Sequence, residues 1–285
     1  MTTETTAPAF KPEAIGKPGE PVSFEVTRDR IAAYAAATND TIAPHAAGDL
    51  APPVFSIVPA FQAAGIAAMQ VIPGELIGAI LHGEQDFHYH RPIEPQMTLE
   101  TVATPIGMRQ RSSGVTVVTK AETRESGGEL VTGQFMVTFV RGAQGAEDVG
   151  EEAPPHRFDE ALRDREADTE VSQTFDADQT FRYAEAAGDP MQIHLDEEFA
   201  KSVGLPGIII HGLCTMAFTS RAVIERACPD DPTRLKRLAV RFANIALPEQ
   251  TITTRIWDVG DSSYAYETAN DAGLVVIKDG WAEVA

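Results

Sequence analysis

The sequence predicts an α+β protein made of two copies of one unit, each a long helix wrapped by a curved antiparallel sheet. Three observations support this prediction: an internal repeat, one long apolar segment in each half, and β-branched segments with interleaved polar residues after it. The length is compatible, because 285 residues are enough for one large domain or two small ones.

The internal repeat consists of short motifs that recur in the same order. A tyrosine, an aspartate and a histidine occur with identical spacing in both halves, as Tyr34, Asp40 and His45 and then as Tyr183, Asp189 and His194. The segment from Pro95 to Leu99 is similar to the segment from Pro248 to Ile252, and residues 51–53 are similar to residues 205–207. Each match is weak in an alanine-rich chain, but several in one order indicate a duplication.

The predicted elements have the same order in both halves. Short strands are predicted at residues 22–26 and 171–175, and long apolar helices at residues 55–71 and 212–227. Segments 115–122, 130–140 and 251–257 alternate β-branched and polar residues, which is typical of antiparallel strands covered on one face. Acidic residues are concentrated at 146–170, where large apolar residues are few, so this stretch is interpreted as a solvated linker. It separates an N-terminal repeat (1–145) from a C-terminal repeat (171–285).

Composition excludes several classes of protein. The formal charge of −19 argues against a nucleic-acid partner, and no apolar run approaches the length of a membrane span. With no basic residue leading into an apolar stretch at the N-terminus, we expect a cytoplasmic protein. Cys214 and Cys228 form no metal-binding motif, and no glycine-rich dinucleotide loop is present, so we expect neither a metal nor a redox cofactor.

Four segments carry a resemblance to a known family that spans nearly the whole chain. They are Leu-His-Gly-Glu-Gln-Asp-Phe at 81–87, Gly188-Asp189 with His194 five residues later, His-Gly-Leu-Cys-Thr at 211–215, and Val-Arg-Phe at 240–242 followed by Pro248. The sequence resembles the MaoC-like group of double hot-dog proteins, specifically (R)-specific enoyl-CoA hydratase 2. One departure stands out, because Met191 and Gln192 replace the asparagine and proline usual in the family's hydratase motif.

The resemblance implies a double hot-dog fold and hydration of trans-2-enoyl-CoA to (3R)-3-hydroxyacyl-CoA, in the breakdown of fatty acids or sterol side chains. Such a reaction needs a water aimed at the β-carbon, a proton for the α-carbon and stabilisation of the enolate oxygen. By resemblance, Asp189 is the acid/base and His194 orients and polarises the water. Gly212, at the start of the second apolar helix, offers its N–H to the oxyanion and leaves room for the thioester.

The first half lacks one part of this arrangement. Counting from Pro53 against Pro206 places Pro59 where the second half has Gly212, and proline has no N–H to donate. We therefore predict that the first half is catalytically silent, with Asp40 and His45 as loop-capping surface residues. The family implies an interrupted, mobile helix there that makes room for a bulky acyl tail, which the prolines and glycines of this segment would allow; simple core packing is the other interpretation.

Substrate contacts are carried over only where residues match the family. His82, Gly83 and Phe242 stand where the family contacts the thioester ligand, and Arg111 occupies the place of a lysine that meets the anionic cofactor. Each of these could instead be an ordinary strand or surface residue. A homodimer is expected by analogy.

Two alternatives to the hydratase remain open at this point. One is a 3-hydroxyacyl-thioester dehydratase that runs the reverse reaction in a synthetic pathway. The other, suggested by Met191 and Gln192, is a non-catalytic acyl-CoA-binding subunit.

Overall fold

One antiparallel sheet runs through both halves of the chain. The computed structural model describes residues 9–285, and eleven strands of this range form the sheet. The strands of the first half are β1 (Val22–Glu25), β2 (Ile80–Tyr89), β3 (Thr98–Arg111), β4 (Gly114–Glu125), β5 (Leu130–Arg141) and β6 (Val149–Gly150). Those of the second half are β7 (Thr169–Thr174), β8 (Leu235–Phe242), β9 (Thr251–Gly260), β10 (Ser263–Asn270) and β11 (Val275–Val284). Their order is β1-β3-β4-β5-β2-β8-β11-β10-β9-β7, with β6 paired to β3.

The helices lie between the first and second strands of each half. They are α1 (Arg28–Ala37), α2 (Ala43–Ala46) and α3 (Phe61–Val71), then α4 (Gln179–Ala187), α5 (Glu197–Ser202) and α6 (Gly212–Ala227). No helix of the described range is both long and apolar enough to cross a membrane. The predicted α+β class, with a helix packed against antiparallel sheet in each half, is confirmed.

The central helices of the two halves differ in length. The helix α6 has the predicted bounds and buries every side chain from Leu213 to Ser220. The single long helix predicted at 55–71 is wrong, because the chain forms a 3-10 turn at Pro53–Ile57 and starts α3 only at Phe61. Proline at position 59 has no N–H for an α-helical hydrogen bond, so the helix cannot run through this point.

The two halves meet at an antiparallel pairing of β2 with β8. The register runs from Glu84 opposite Arg241 to His88 opposite Arg237, with Asp86 opposite Ala239 at its centre. The Arg237 guanidinium donates to both carboxylate oxygens of Asp86, over 3.1 and 2.8 Å. Burial alone would raise the pKa of Asp86, but the neighbouring His88 and the hydrogen-bonded Arg237 hold it below its usual value. A buried ion pair therefore joins the two repeats.

The repeats also share one apolar core. Tyr34 of α1 and Tyr183 of α4, which correspond in the duplication, have ring centroids 5.7 Å apart. The same cluster of buried side chains contains Phe87 from β2 and Phe218 from α6. A second cluster of buried apolar side chains, which includes Val71, Met108 and Val117, lies within the first half alone, so only part of the interior is shared.

The acidic segment at 146–170 is mostly solvated, but its interpretation as a solvated linker is wrong for two residues, His156 and Phe158. Phe158 is buried, with its ring 5.9 Å from that of Trp257 on β9. His156 is buried too and donates from Nδ1 to the carbonyl oxygen of Asp279 at 2.7 Å. Two aromatic rings in an acidic stretch are enough to fix it against the second half, while most of its carboxylates stay in water.

Candidate active site

The loop after α4 places Asp189 and His194. Gly188 ends α4 in the left-handed conformation, with φ of 73°, which glycine adopts at little cost. Asp189 follows directly, and a short 3-10 turn at Gln192–His194 brings the histidine back towards it. Both side chains are buried, at 9% and 7% exposure, whereas Met191 between them is 50% exposed. The departure from the family motif therefore lies on the outside of the loop.

Hydrogen bonds orient the two side chains. The carbonyl oxygen of Ile209 accepts a 2.8 Å hydrogen bond from Nδ1 of His194, which leaves Nε2 as the acceptor when the ring is neutral. The Asp189 carboxylate accepts the N–H of Met191 at 3.3 Å. Asp189 and His194 form no direct hydrogen bond, but their side-chain donor and acceptor atoms lie within 4.8 Å of one another. One water molecule can bridge that distance.

The environment brings the two groups towards neutral charge. Burial raises the pKa of Asp189 above its usual value and lowers the pKa of His194. A carboxyl group with a raised pKa exchanges its proton closer to neutral pH, as a general acid/base requires. A neutral His194 keeps an acceptor nitrogen for water.

His211 completes the site, and sequence reasoning gave it no role. Its ring stacks on that of His194, with centroids 3.7 Å apart, and its Nε2 donates to the backbone oxygen of Asp189 at 3.3 Å. Burial and the neighbouring His194 lower the pKa of His211 to about 3. The one available signal was its position in the His-Gly-Leu-Cys-Thr segment, directly before Gly212.

A divalent cation would find three possible ligands here, one carboxylate and two imidazoles, since side-chain atoms of Asp189, His194 and His211 lie within 4.8 Å of one another. The two imidazoles, however, are stacked with their planes only 25° apart. Lone pairs lie in the ring planes, so nitrogens of stacked rings do not converge on one point. The arrangement suits a water molecule better than a metal ion.

Gly212 stands where the sequence predicted, at the start of α6. The first N–H of this helix to reach a backbone acceptor is that of Thr215, bonded to the oxygen of His211 at 3.0 Å. The N–H groups of residues 212–214 therefore remain available at the positive end of the helix. A Cβ atom on Gly212 would lie 3.1 Å from Cδ1 of Phe242, so the glycine lets that ring pack against the helix start.

Two of the predicted substrate contacts, Phe242 and His82, lie near the start of α6. The ring of His82 lies edge-on to that of Phe242, with centroids 4.9 Å apart. Burial lowers the pKa of His82 to about 4, and its Nε2 donates to the side-chain oxygen of Gln85 at 3.1 Å. Gly83 lies in a bulge of β2, where a Cβ atom would be 3.1 Å from the oxygen of Val137. A bulge of this kind redirects the neighbouring side chain.

Arg111 is not part of this group. It lies at the end of β3, which is separated from β2 by β4 and β5. Its half-exposed side chain donates to the Glu152 carboxylate at 3.0 Å. The contact of Arg111 with an anionic cofactor stays a prediction, and a ligand would have to share this arginine with Glu152.

The counterpart residues of the first half are buried, so the prediction that they lie at the surface is wrong. Asp40 and His45 are 6% and 0% exposed, and Nδ1 of His45 donates to Asp40 at 2.8 Å. Asp40 does cap its loop, because its other oxygen accepts the N–H of Ile42 at 2.9 Å. A direct hydrogen bond to the histidine compensates the burial of the carboxylate.

Together these features define a class of protein: a duplicated helix-in-sheet fold with a buried acid/base pair beside the free N–H groups of a helix start. Residues 159–279 match the family model described as "MaoC like domain", and residues 13–134 match the one described as "FAS1-like, dehydratase domain region". The chain belongs to the MaoC-like dehydratase family.

Similar proteins agree with this assignment. A "Probable enoyl-CoA hydratase 2" of Dictyostelium discoideum is 30% identical over 203 residues, covering 70% of this chain and 68% of that protein. The "3-hydroxyacyl-thioester dehydratase Y" of Mycobacterium tuberculosis is 28% identical over 96% of this chain and 98% of its own length. Among solved structures, a MaoC-like dehydratase from Phytophthora capsici superposes with a TM-score of 0.85 at 24% identity, covering 95% of this chain and 97% of that one. The predicted double hot-dog fold is thereby confirmed.

The buried His211 should make the protein less stable in acid. In the unfolded chain a histidine binds a proton near pH 6.5, but His211 in the fold resists protonation down to about pH 3. The unfolded state therefore binds more protons as the pH falls below 6.5, and stability is lost. From pH 7 to pH 5 this one group should lower the free energy of unfolding by about 2 kcal/mol.

Urea unfolding at the two pH values measures this effect. His211→Phe keeps an aromatic ring but cannot titrate. Its free energy of unfolding should therefore fall by about 2 kcal/mol less than that of the wild type when the pH is lowered from 7 to 5. The exposed His90 provides the control, since His90→Gln should lose as much as the wild type. Equal losses of unfolding free energy in the wild type and in His211→Phe would contradict the lowered pKa of His211.

Proposed function

We propose that this protein hydrates trans-2-enoyl-CoA to (3R)-3-hydroxyacyl-CoA in the breakdown of fatty acids or sterol side chains. The observation that carries the proposal is the buried pair of Asp189 and His194, separated by a distance that one water can bridge, beside the N-terminus of α6. The relative named enoyl-CoA hydratase 2 supports the choice of substrate.

Each part of the site has a task in this reaction. His194 Nε2 and the Asp189 carboxylate each accept one hydrogen of the water, so a lone pair of its oxygen faces the β-carbon. As the C–O bond forms, the π electrons move towards the thioester oxygen, which accepts the N–H of Gly212. The proton released by the water passes to Asp189 and from there to the α-carbon. One water is added and nothing is oxidised, so the reaction needs no redox cofactor.

The reverse reaction uses the same groups, since the acid and base roles exchange when water is removed. The relative named 3-hydroxyacyl-thioester dehydratase Y, which this chain matches over almost its whole length, favours dehydration as the second candidate. A comparison of kcat/KM for CoA thioesters with kcat/KM for the same acyl groups on acyl carrier protein would separate the two assignments. A cytoplasmic location, a homodimer and substrate contacts by His82, Gly83, Phe242 and Arg111 remain predictions.

The direct test is the loss of absorbance of the conjugated enoyl thioester, with crotonyl, long-chain and steroid-tail CoA substrates. The product should be oxidised by a (3R)-specific and not by a (3S)-specific hydroxyacyl-CoA dehydrogenase. Turnover with (3R) product would support the proposal, and the preferred substrate would give the acyl class. A protein that binds acyl-CoA but turns over none of these substrates would instead be a non-catalytic binding subunit.

A further inference from the structure

His211 contacts both members of the acid/base pair, although the steps of the hydration do not use it. Its Nε2–H donates to the backbone oxygen of Asp189 at 3.3 Å, and its ring stacks on that of His194 with centroids 3.7 Å apart. The Tyr183 ring lies 4.8 Å from the His211 ring, centroid to centroid. His211 and Tyr183 are 1% and 0% exposed, so the imidazole is packed against two rings inside the protein.

These contacts limit how closely Asp189 and His194 can approach each other. The N–H of Asp189 donates to the oxygen of Ala184 at 3.1 Å, and its oxygen accepts from His211, so the backbone is fixed at both groups. The His194 ring is held at Nδ1 by the oxygen of Ile209 and is covered on one face by His211. A ring covered in this way cannot rotate about its Cβ–Cγ bond without colliding with its neighbour.

The first half has no ring at the position of His211. Val58 stands directly before Pro59, as His211 stands directly before Gly212, so the counterpart of the imidazole is an aliphatic side chain.

The Asp–His pair of the first half is closed. Asp40 and His45 are joined by a direct hydrogen bond of 2.8 Å through Nδ1. Nε2 of His45 is buried and has no partner among residues 9–285, so neither ring nitrogen is left to hold a water molecule. The same spacing of aspartate and histidine therefore occurs in two states, closed in the half with a valine and open in the half with His211.

The two halves also differ in the carbonyl group that binds the histidine. The oxygen of Ile209 accepts from His194, whereas the oxygen of its counterpart Ser56 accepts from the side chain of Gln134 at 3.1 Å. Substitution of His211 leaves the oxygen of Ile209 in place. Such a variant therefore tests the ring by itself.

A histidine is a costly residue at this buried position. Burial and the neighbouring His194 lower the pKa of His211 to about 3, so its ring is neutral at pH 7 and Nδ1 is an acceptor. This Nδ1 atom is buried and has no partner in the described part of the chain. A valine, as at Val58, would leave no polar group unpaired, so packing alone does not account for the histidine.

We propose that His211 is a positioning residue, whose ring holds Asp189 and His194 apart so that a water molecule, and not a direct hydrogen bond, joins them. Its meaning for catalysis rests on the proposed hydration. The separation of the two side chains does not, because it can be measured in a protein without activity. Since His211 acts through the pair, its loss should change turnover more than substrate binding.

Two variants separate the ring of His211 from its polar atoms. His211→Val introduces the side chain of the first half, and His211→Phe keeps a ring but loses the hydrogen bond to Asp189. In His211→Val, kcat for enoyl-CoA hydration should fall about 10²-fold because the water is misplaced, while KM should change little. In His211→Phe, kcat should fall by no more than about tenfold, since one hydrogen bond between neutral groups is lost. Urea unfolding checks that both variants are folded.

Proton NMR of the ring N–H groups measures the geometry with or without turnover. An N–H bound to a carboxylate forms a shorter hydrogen bond than one bound to a carbonyl oxygen, and it resonates further downfield. The bond between Asp40 and His45 provides a reference signal of this kind in the wild type. His211→Val should show one additional downfield signal, from His194 bound directly to Asp189. The signal should be absent from His211→Phe and from His211→Val combined with His194→Ala.

The additional signal together with the fall in kcat would support the inference. It is overturned if His211→Val turns over within a few-fold of the wild type, if its kcat falls without the additional signal, or if His211→Phe loses as much kcat as His211→Val. A wild type that hydrates none of the thioesters would refute the proposed function instead. The additional signal alone would then decide whether His211 holds the pair apart.

Discussion

Replacing Asp189 by asparagine is expected to reduce the rate of enoyl-CoA hydration by about 10²- to 10⁴-fold. The amide is nearly the same size as the carboxyl group, and its oxygen can still accept the N–H of Met191, so the loop should keep its conformation. What the variant cannot do is take a proton from water and return it to the α-carbon. Steady-state kinetics with the best substrate of the panel measures the loss.

The same substitution at an exposed aspartate provides the matched control. Asp178 lies at the start of α4, the helix that ends just before Asp189, and its side chain is 64% exposed. Asp178→Asn should retain activity close to that of the wild type. If Asp189→Asn also stayed within a few-fold of the wild type, with (3R) product still formed, Asp189 would not be the acid/base and the assignment of the dyad would fail.

Replacing Arg237 by methionine is expected to lower the free energy of unfolding by about 3–5 kcal/mol. Arg237 binds Asp86 with two hydrogen bonds across the β2–β8 pairing, and the Asp86 side chain is only 3% exposed. Without the guanidinium, a buried carboxylate loses its charged partner and must be protonated or hydrated. Urea denaturation followed by circular dichroism measures the change.

An exposed ion pair should behave differently. Arg124 on β4 faces Glu122 at 3.8 Å with both side chains more than a third exposed, so Arg124→Met should cost no more than about 1 kcal/mol. Combining Arg237→Met with Asp86→Leu removes both buried charges and should recover part of the loss. A cost for Arg237→Met no larger than that for Arg124→Met would show that the ion pair contributes little to joining the two repeats.

The features that could be predicted from sequence depend on local pattern. The bounds of α6 follow from a largely apolar segment that opens at Gly212, and the duplication follows from the recurring spacing of Tyr, Asp and His. Both are properties of residues close together in the chain. The fold class was accessible for this reason, whereas the acid/base roles of Asp189 and His194 came from the resemblance to the family.

What could not be predicted depends on contacts between distant residues. The stacking of His211 on His194 requires the loop after α4 to meet the start of α6, and nothing in the spacing of the two histidines indicates it. The burial of His45 likewise depends on packing from both halves, since Leu235 and Lys236 of β8 line a small cavity together with His45. Phe158 shows the same effect, because its partner Trp257 is far along the chain.

The β2–β8 pairing has a consequence for how this protein can change over evolutionary time. In a symmetric assembly of two identical chains, every substitution appears in both equivalent pockets. Here the two equivalent places are encoded separately, so one polypeptide can carry Pro59 at the position that corresponds to Gly212 of the second half. Selection can then preserve the acid/base loop of one half while the other half changes independently.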